Sequence, residues 1–359
     1  EGDQPMSTYN TKIFIGIDLG DVENQICILD QDGEIVEKAS IENTVSGINT
    51  FFDGFNSPRQ VLVAVETGTH SPWISHLLEA RGFRVFVGNA RKLRLIWDST
   101  NKNDDRDAEM LARIARFDPK LLSPIRHRSR SAHTDLALLK GRDALVRCRT
   151  KLINFVRGSC KTAGTRLPSC SADAFAKKVI EYIPKELLAA TVPCVDTIGE
   201  LTQKIRQIDA QIEALCHQGY PETMALREIA GVGPVTALAF VLTLEDPKRF
   251  KKSRDVGPYL GLVPKRDQSG STDKPLSITK AGNGYLRRLL VNCAQYILGP
   301  FGPDCELRRY GLRIASRGGK VAKRKAAVAV ARKLAVMMHH IWKNKTAYEP
   351  FYQSYLKAA

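Results

Sequence analysis

Long apolar runs are missing from this sequence. None approaches the roughly 18 residues that a membrane-spanning helix requires, and no basic head and apolar core of an export signal precede the first strand-like segment. A soluble protein of the cell interior is expected, with no membrane partner. Paired cysteines are missing too. The eight cysteines, at 27, 148, 160, 170, 194, 216, 293 and 305, include no C-x-x-C, which argues against zinc and against a disulfide framework. They read as small core residues in a reducing cytoplasm. Acids are scarce: 38 Asp and Glu face 54 Lys and Arg, a formal net charge of +16. That balance points to an anionic partner, nucleic acid first and an acidic membrane second. Core material is plentiful, at 43% hydrophobic residues over 359 positions, which suits a globular chain of two or three domains. The five residues before Met6 read as an expression remnant and stand outside the fold.

Residues 11–125 alternate strands with helices, the pattern of an α/β domain. TKIFIGIDLG is a buried strand running into Asp18. QICILDQDGEIVEKASI is a hairpin turning at Asp32-Gly33, VLVAVET a strand ending at Glu66, and FRVFVGN a strand preceded by a helix. In KNDDRDAEMLARIARF, Asp104 and Asp107 share one face where a helix begins. Acids at a helix start also cap it, and capping alone accounts for Asp104 or Asp105 taken singly. The set says more: Asp18 and Glu66 sit in otherwise apolar strands, where a carboxylate without a partner is costly. Four converging carboxylates repel unless a divalent cation neutralises them, and oxygen ligands suit Mg²⁺ or Mn²⁺. An Asp in a first strand, a Glu in a later strand and a D-x-x-D pair resembles the ribonuclease-H-like nucleases, in particular the RuvC-type Holliday-junction resolvase domain. GIDLG also opens actin-like ATPases, but the second Asp-Gly phosphate motif and the adenosine motif of that family are absent.

Residues 126–217 read as a helical coiled-coil spacer. Leu138/Leu139, Leu145/Val146 and Leu152/Ile153 recur every seven positions. Ile198, Leu201, Ile205, Ile208, Ile212 and Leu215 follow a 3-4 spacing. An intramolecular helical hairpin and a dimerising bundle both satisfy such seams. A Pro- and Cys-bearing connector, around 167–193, separates the two helices. Arg126, Arg128, Arg130, Arg142, Arg147 and Arg149 make the first helix basic, for phosphate contact or as a solvated face.

Residues 218–359 form a second, mostly α domain. LREIAGVGPVTALAFVLTL suits either a helix-hairpin-helix turn on a DNA phosphate or a plain packing unit. Residues 260–290, LGLVPKRDQSGSTDKPLSITKAGNGYLRRLL, read as a Gly/Ser/Lys-rich loop entering a basic helix. Its serines, Ser269 and Ser271, stand among Lys265, Arg266, Lys274, Lys280, Arg287 and Arg288, cations suited to phosphate. From Arg308 through Lys333 ten Lys and Arg occur without an acid, Lys323, Arg324 and Lys325 among them. Backbone contact with nucleic acid is the favoured reading of this run. Ala327, Ala331, Leu334, Met338 and Ile341 form a core stripe on the helix that follows. His339 and His340 read as packing or surface residues.

GLVP, a serine-glycine and ITKAGNGYLRRLL, together with FIGIDLG, VAVETG and KNDDRDA in that order, resemble the DEDD-type insertion-sequence transposases. That family includes the Piv-type invertases and the recombinases guided by a bridge RNA. The resemblance covers nearly the whole chain. It implies a RuvC-like domain at 11–125, a coiled-coil spacer at 126–217 and a transposase domain at 218–359. It implies an acidic tetrad of Asp18, Glu66, Asp104 and Asp107 binding Mg²⁺, and a nucleophile at Ser269, with Ser271 second because the usual serine-glycine-glycine is Ser269-Gly270-Ser271 here. Asp105 is a further acid beside Asp104. The implied activity is transposition through a phosphoserine–DNA intermediate. The implied partners are target and donor DNA, a structured noncoding guide RNA and further copies of the chain, as a dimer or tetramer in a bacterial or archaeal nucleoid. A water-using junction nuclease and a non-catalytic nucleic-acid scaffold are the competing classes.

Overall fold

The computed structural model describes residues 11–93, 104–269 and 272–351, and the chain divides after Arg128 into two units. In the first, Ile13–Leu19 (β1), Glu23–Leu29 (β2) and Ile35–Glu42 (β3) form an antiparallel meander. Val61–Glu66 (β4) and Arg84–Gly88 (β5) extend it in parallel from the other side of β1, giving the order β3-β2-β1-β4-β5. The β2–β3 turn falls where Asp32-Gly33 predicts it. Asp30 Oδ1 accepts from the amides of Asp32, Gly33 and Glu34 at 2.8–2.9 Å, and Gly33 takes the left-handed φ of 90° that glycine permits.

The helices of this unit are Val45–Phe52 (α1), Ser71–Ala80 (α2), Ala90–Leu93 (α3) and Asp104–Phe117 (α4). Alternation along the strands assigns the faces. Ile15, Ile17, Val63 and Val65 pack with Ile48 and Phe52 of α1 and with Ile74 and Leu78 of α2. Leu62 and Ala64 point the other way, into Leu111, Ile114 and Ala115 of α4. Cys27 and Leu29 on that side meet Ala108 and Ala112. Full burial of each large apolar side chain contributes about 1.5–3 kcal/mol, so the two faces together fix the register of the sheet.

In the second unit, Arg130–Thr162 (α5) and Leu188–Gln218 (α7) lie side by side, joined by a connector that holds Phe175–Val179 (α6). On α7 the predicted seam residues Ile198, Ile205 and Ile212 are buried. On α5 only Leu139 of the predicted seam is buried; Leu138, Leu145, Val146, Leu152 and Ile153 are half-buried, and Leu136, Val156 and Cys160 carry the burial instead. The connector ends earlier than its proline suggests. Pro193 is the sixth residue of α7, just past the first turn, so the helix forgoes the one bond that an N–H there would give to the Ala189 carbonyl.

The near end of this pair shares one core with Glu222–Arg227 (α8), Pro234–Leu244 (α9), Val256–Tyr259 (α10), Gly284–Leu298 (α11), Glu306–Ala315 (α12) and Gly319–Asn344 (α13). α9 is buried from Thr236 to Leu244. The stripe Ala327, Ala331, Leu334, Met338 and Ile341 of α13 is core, as its spacing predicts. Residues 264–278 correct the loop expectation. Pro264–Ser269 (β6) and Thr272–Ile278 (β7) pair antiparallel, with Ser269 opposite Thr272. Gly/Ser/Lys composition marked the ends of the segment and hid the ladder between them. Among the described residues no helix is long and apolar enough to cross a membrane.

Candidate active site and basic surfaces

Asp18 and Glu66 lie at the carboxyl ends of the adjacent parallel strands β1 and β4, both half-buried. Gly16 explains what covers them. A Cβ at Gly16 would collide with the Ala108 carbonyl oxygen and come within 2.6 Å of the Ala112 amide nitrogen. α4 therefore rests directly on β1 at that point, which only glycine allows. Asp18 is two residues beyond Gly16, and Glu66 two beyond Ala64, so both carboxylates belong to the face that α4 packs on.

The direction of α4 follows from its later turns. Arg113 Nη1 donates to Gly33 O at 3.3 Å and Arg116 Nε to Gln31 O at 3.1 Å, anchoring those turns at the β2–β3 turn beside the amino end of β1. Its first turn consequently lies toward the carboxyl edge, where Asp107 is half-buried. Carboxyl edges of parallel strands are the usual place for a site in such sheets. Glu109, one turn in, is held below the usual carboxylate range by hydrogen bonds from Lys38 and then Arg113.

Asp18, Glu66 and Asp107 are thus assigned to one face and one edge. The side chains of Asp104 and Asp105 lie outside the described residues, and among those described no three acidic, His or Cys groups close into a metal-binding cluster. As a donor set, half-buried carboxylate oxygens with no sulfur or imidazole fit a hard divalent cation such as Mg²⁺ or Mn²⁺.

Two further groups at this edge escape a reading by motif. His70 Nε2 lies 3.3 Å from Asp21 Oδ1, and Trp73 Nε1 donates to His70 Nδ1 at 3.3 Å. An indole nitrogen only donates, so Nδ1 is the acceptor and the ring proton sits on Nε2, facing Asp21. Buried Ser71 bonds His127 Nε2 at 2.9 Å. The only signal for Asp21, His70 and Ser71 was their position, just after the strands that carry Asp18 and Glu66.

In the second unit Ser269 ends β6 at the tip of the hairpin; its side chain, like that of Lys274, lies outside the described residues, as does Ser271 altogether. Lys265, Arg266 and Lys280 are exposed. Arg287 turns inward, donating to Leu260 O at 2.9 Å and Ala281 O at 2.7 Å. Arg288 pairs with Asp143 at 2.8 Å and lies over the Tyr285 ring. Burial first, and then Asp143, push the Tyr285 phenol up to about 12. Lys323, Arg324 and Lys325 are all exposed on the first turns of α13.

Comparison with known proteins identifies the family. Residues 15–161 match a DEDD transposase model of the IS110 type, and residues 224–305 match a transposase model of the IS116/IS110/IS902 family. Together the two matches take in well over half of the chain, including all four candidate acids and Ser269. The chain belongs to the IS110-type family of DEDD transposases, which are DNA-acting enzymes. It is 26% identical to the transposase for insertion sequence element IS1111A of Coxiella burnetii, over 94% of this chain and 91% of that one. It is 27% identical to the "Probable family 20 transposase" of Pseudomonas aeruginosa, over 94% and 98%. The transposase for IS1328 of Yersinia enterocolitica is 29% identical over 65% of this chain and 70% of its own.

Proposed function

We propose that the protein is an RNA-guided recombinase that moves an insertion sequence, cutting and rejoining DNA through a phosphoserine link. The observation that carries this reading is the pair Asp18 and Glu66, half-buried on the face that α4 packs on. The strand order β3-β2-β1-β4-β5, three strands antiparallel and two added in parallel, supports a ribonuclease-H-like, RuvC-type identity for the first unit. In this reading Asp18, Glu66, Asp104 and Asp107 hold Mg²⁺, which when bound would supply positive charge against the phosphoryl oxygens of the DNA.

Ser269 is the nucleophile. A serine hydroxyl is a weak nucleophile at neutral pH and must lose its proton as it attacks. The Ser269 Oγ–phosphorus bond forms, one phosphorus–sugar oxygen bond breaks, and the departing DNA oxygen takes up a proton. One ester replaces another, so the reverse attack by a different DNA hydroxyl rejoins strands without ATP. Lys265, Arg266, Lys274 and Lys280 flank the serine and suit the DNA backbone. A structured noncoding RNA would choose sites by base pairing while the protein holds backbones. Exchange between two duplexes calls for several copies of the chain, acting at the nucleoid.

The test is to trap the link. Incubated with Mg²⁺ and its element's DNA ends, the protein should give a covalent adduct on a denaturing gel. Asp18→Ala and Ser269→Ala should each abolish the adduct and keep DNA binding. Cleavage without an adduct would mean a water-using nuclease, and an adduct that survives Ser269→Ala would move the nucleophile to Ser271. One discrete RNA species copurifying with the protein would support guidance; a smear of cellular RNA would count against it.

A further inference from the structure

Between Glu306 and Glu349 the chain contains no Asp or Glu. Over the same stretch the fold makes an elbow. α12 ends at Ala315, three residues turn, and α13 begins at Gly319. Gly318 and Gly319, at φ 87° and 73°, make this bend, and neither would meet another atom if given a Cβ. The elbow is therefore open to solvent and held by backbone conformation. Farther back the two helices close tightly. A Cβ on Gly311 would fall 2.5 Å from both Leu298 and Val330 side chains, so the elbow is a stiff projection of a packed pair.

Six cations decorate it: Arg313, Arg317, Lys320, Lys323, Arg324 and Lys325, every one exposed. None has an ion pair or side-chain hydrogen bond among the described residues. Cations elsewhere on α12 are engaged. Arg308 donates to Ile297 O and Gly299 O, and Arg309 makes a two-pronged pair with Asp304. Lys333, farther along α13, is held below the usual lysine range by burial first and then by Arg332, with Arg313 adding to the same effect. Six like charges on one bend repel one another, and only counter-ions or an anionic ligand relieve them.

We propose that the α12–α13 elbow is a docking surface for the phosphate backbone of duplex DNA. Lys320, Lys323 and Arg324, at i, i+3 and i+4, make one stripe on the first turns of α13, and Arg313 and Arg317 extend it across the bend. Two helices joined by a three-residue, glycine-bearing turn have the form of units that seat a helix against a duplex. The charge is arrayed for a regular polyanion, and no aromatic ring is interleaved with it to stack on unpaired bases. The assignment rests on the DNA-acting reading above and adds to it the face that carries the duplex.

The test is a salt titration of the full chain on an arbitrary 30-base-pair duplex, read by fluorescence anisotropy. Each phosphate contact contributes about 0.9 to the slope of log K against log salt. The quadruple variant Lys320→Gln, Lys323→Gln, Arg324→Gln, Lys325→Gln should therefore lower the slope by roughly 3–4 and weaken binding at least about tenfold. Its circular dichroism and melting temperature should match the parent, since these exposed side chains make no ion pair or side-chain hydrogen bond among the described residues. Replacing the three lysines with arginine should keep the parent slope. An unchanged slope in the glutamine variant overturns the proposal, and so does a loss seen with a structured RNA hairpin but not with the duplex. Asp18→Ala separates the two readings: it should keep the full slope while losing the covalent adduct, so either can fail without the other.

Discussion

Two stretches of this chain read alike as sequence and differ as structure. α5 and the α12–α13 elbow are both rich in arginine and lysine. On α5 the charges are cross-linked. Arg142 forms a two-pronged pair with Asp209, Arg147 meets Asp143 at 2.8 Å, and Arg149 reaches Asp173 at 2.6 Å and Thr202 at 3.1 Å. On the elbow none of the six cations is matched among the described residues. One set of charges holds helices together; the other is left for something outside the fold. Counting basic residues cannot separate these cases, whereas following each guanidinium to its acceptor does.

The sharpest break in the comparison is Arg149. Its side chain is only 10% exposed, while Asp173 is 51% exposed and can rehydrate. The usual cost of about 3–5 kcal/mol for breaking a buried pair is accordingly reduced, and Arg149→Ala should cost about 2–3 kcal/mol, including the lost packing of its stem. For a unit of this size the melting temperature should fall by roughly 6–10 °C. The duplex salt slope should not move. A stable variant with a reduced slope would mean that α5, too, works on phosphate.

Arg142→Ala should act in the same direction with less force. The pair is bidentate, and the bond to Asp209 holds the guanidinium pKa above its ordinary value. Yet Arg142 is a quarter exposed and Asp209 is 42% exposed, so about 1 kcal/mol is expected. Thermal melts in low and high salt would check this, because the difference between variant and parent should shrink as salt rises.

Much of this architecture was legible because it rests on local periodicity. The strand patterns named β1 to β5, the helical spacings marked α5 and α7 without deciding whether they pair within one chain, and the carboxylates stood out as acids in apolar strands. What escaped depended on distance along the chain. Gly16 gives no sign that α4 lies on it, because Ala108 and Ala112 come more than 90 positions later. Arg142 and Asp209 are 67 positions apart, so an arginine of α5 cannot be sorted from an arginine of the elbow by its neighbours. The β6–β7 ladder escaped for another reason: its residues are polar on both faces, which removes the alternation that marks a strand. His70 and Asp21 belong to no motif and are found only once the strands that precede them end at one edge.

α13 carries the same contrast within one helix. Its exposed start holds four of the elbow cations, Lys320, Lys323, Arg324 and Lys325. Its far end buries His339, whose ring nitrogens bond Ser253 Oγ at 2.9 Å and Pro247 O at 2.8 Å. Burial first, and then Lys343 and His340, hold His339 below the usual imidazole value of 6.5, while the bond to Pro247 and the charge of Asp255 oppose the shift. A lowered folded pKa means that the unfolded chain binds the proton more readily. The stabilisation is full above 6.5 and is lost as pH falls from there through the folded value. The melting temperature should decline from pH 7.5 to 5.0, and His339→Gln should flatten that decline. It should leave a residue from His340, which burial shifts the same way. Duplex affinity in the parent should show no step of its own near pH 6 once unfolding is accounted for.

Arg147 is the smallest test and the one that asks most of the comparison. It is 62% exposed and pairs with Asp143 one turn back, and Asp143 also holds Arg288 at 2.8 Å. Removing Arg147 therefore leaves no acid unmatched, and Arg147→Ala should cost about 0.3–0.5 kcal/mol, near 1 °C in melting temperature. By exposure alone it is as available to phosphate as any cation of the elbow. If exposure decided the matter, its loss would lower the duplex salt slope by about 0.9. The expected result is no change, because a charge already answered within the fold releases no counter-ion on binding.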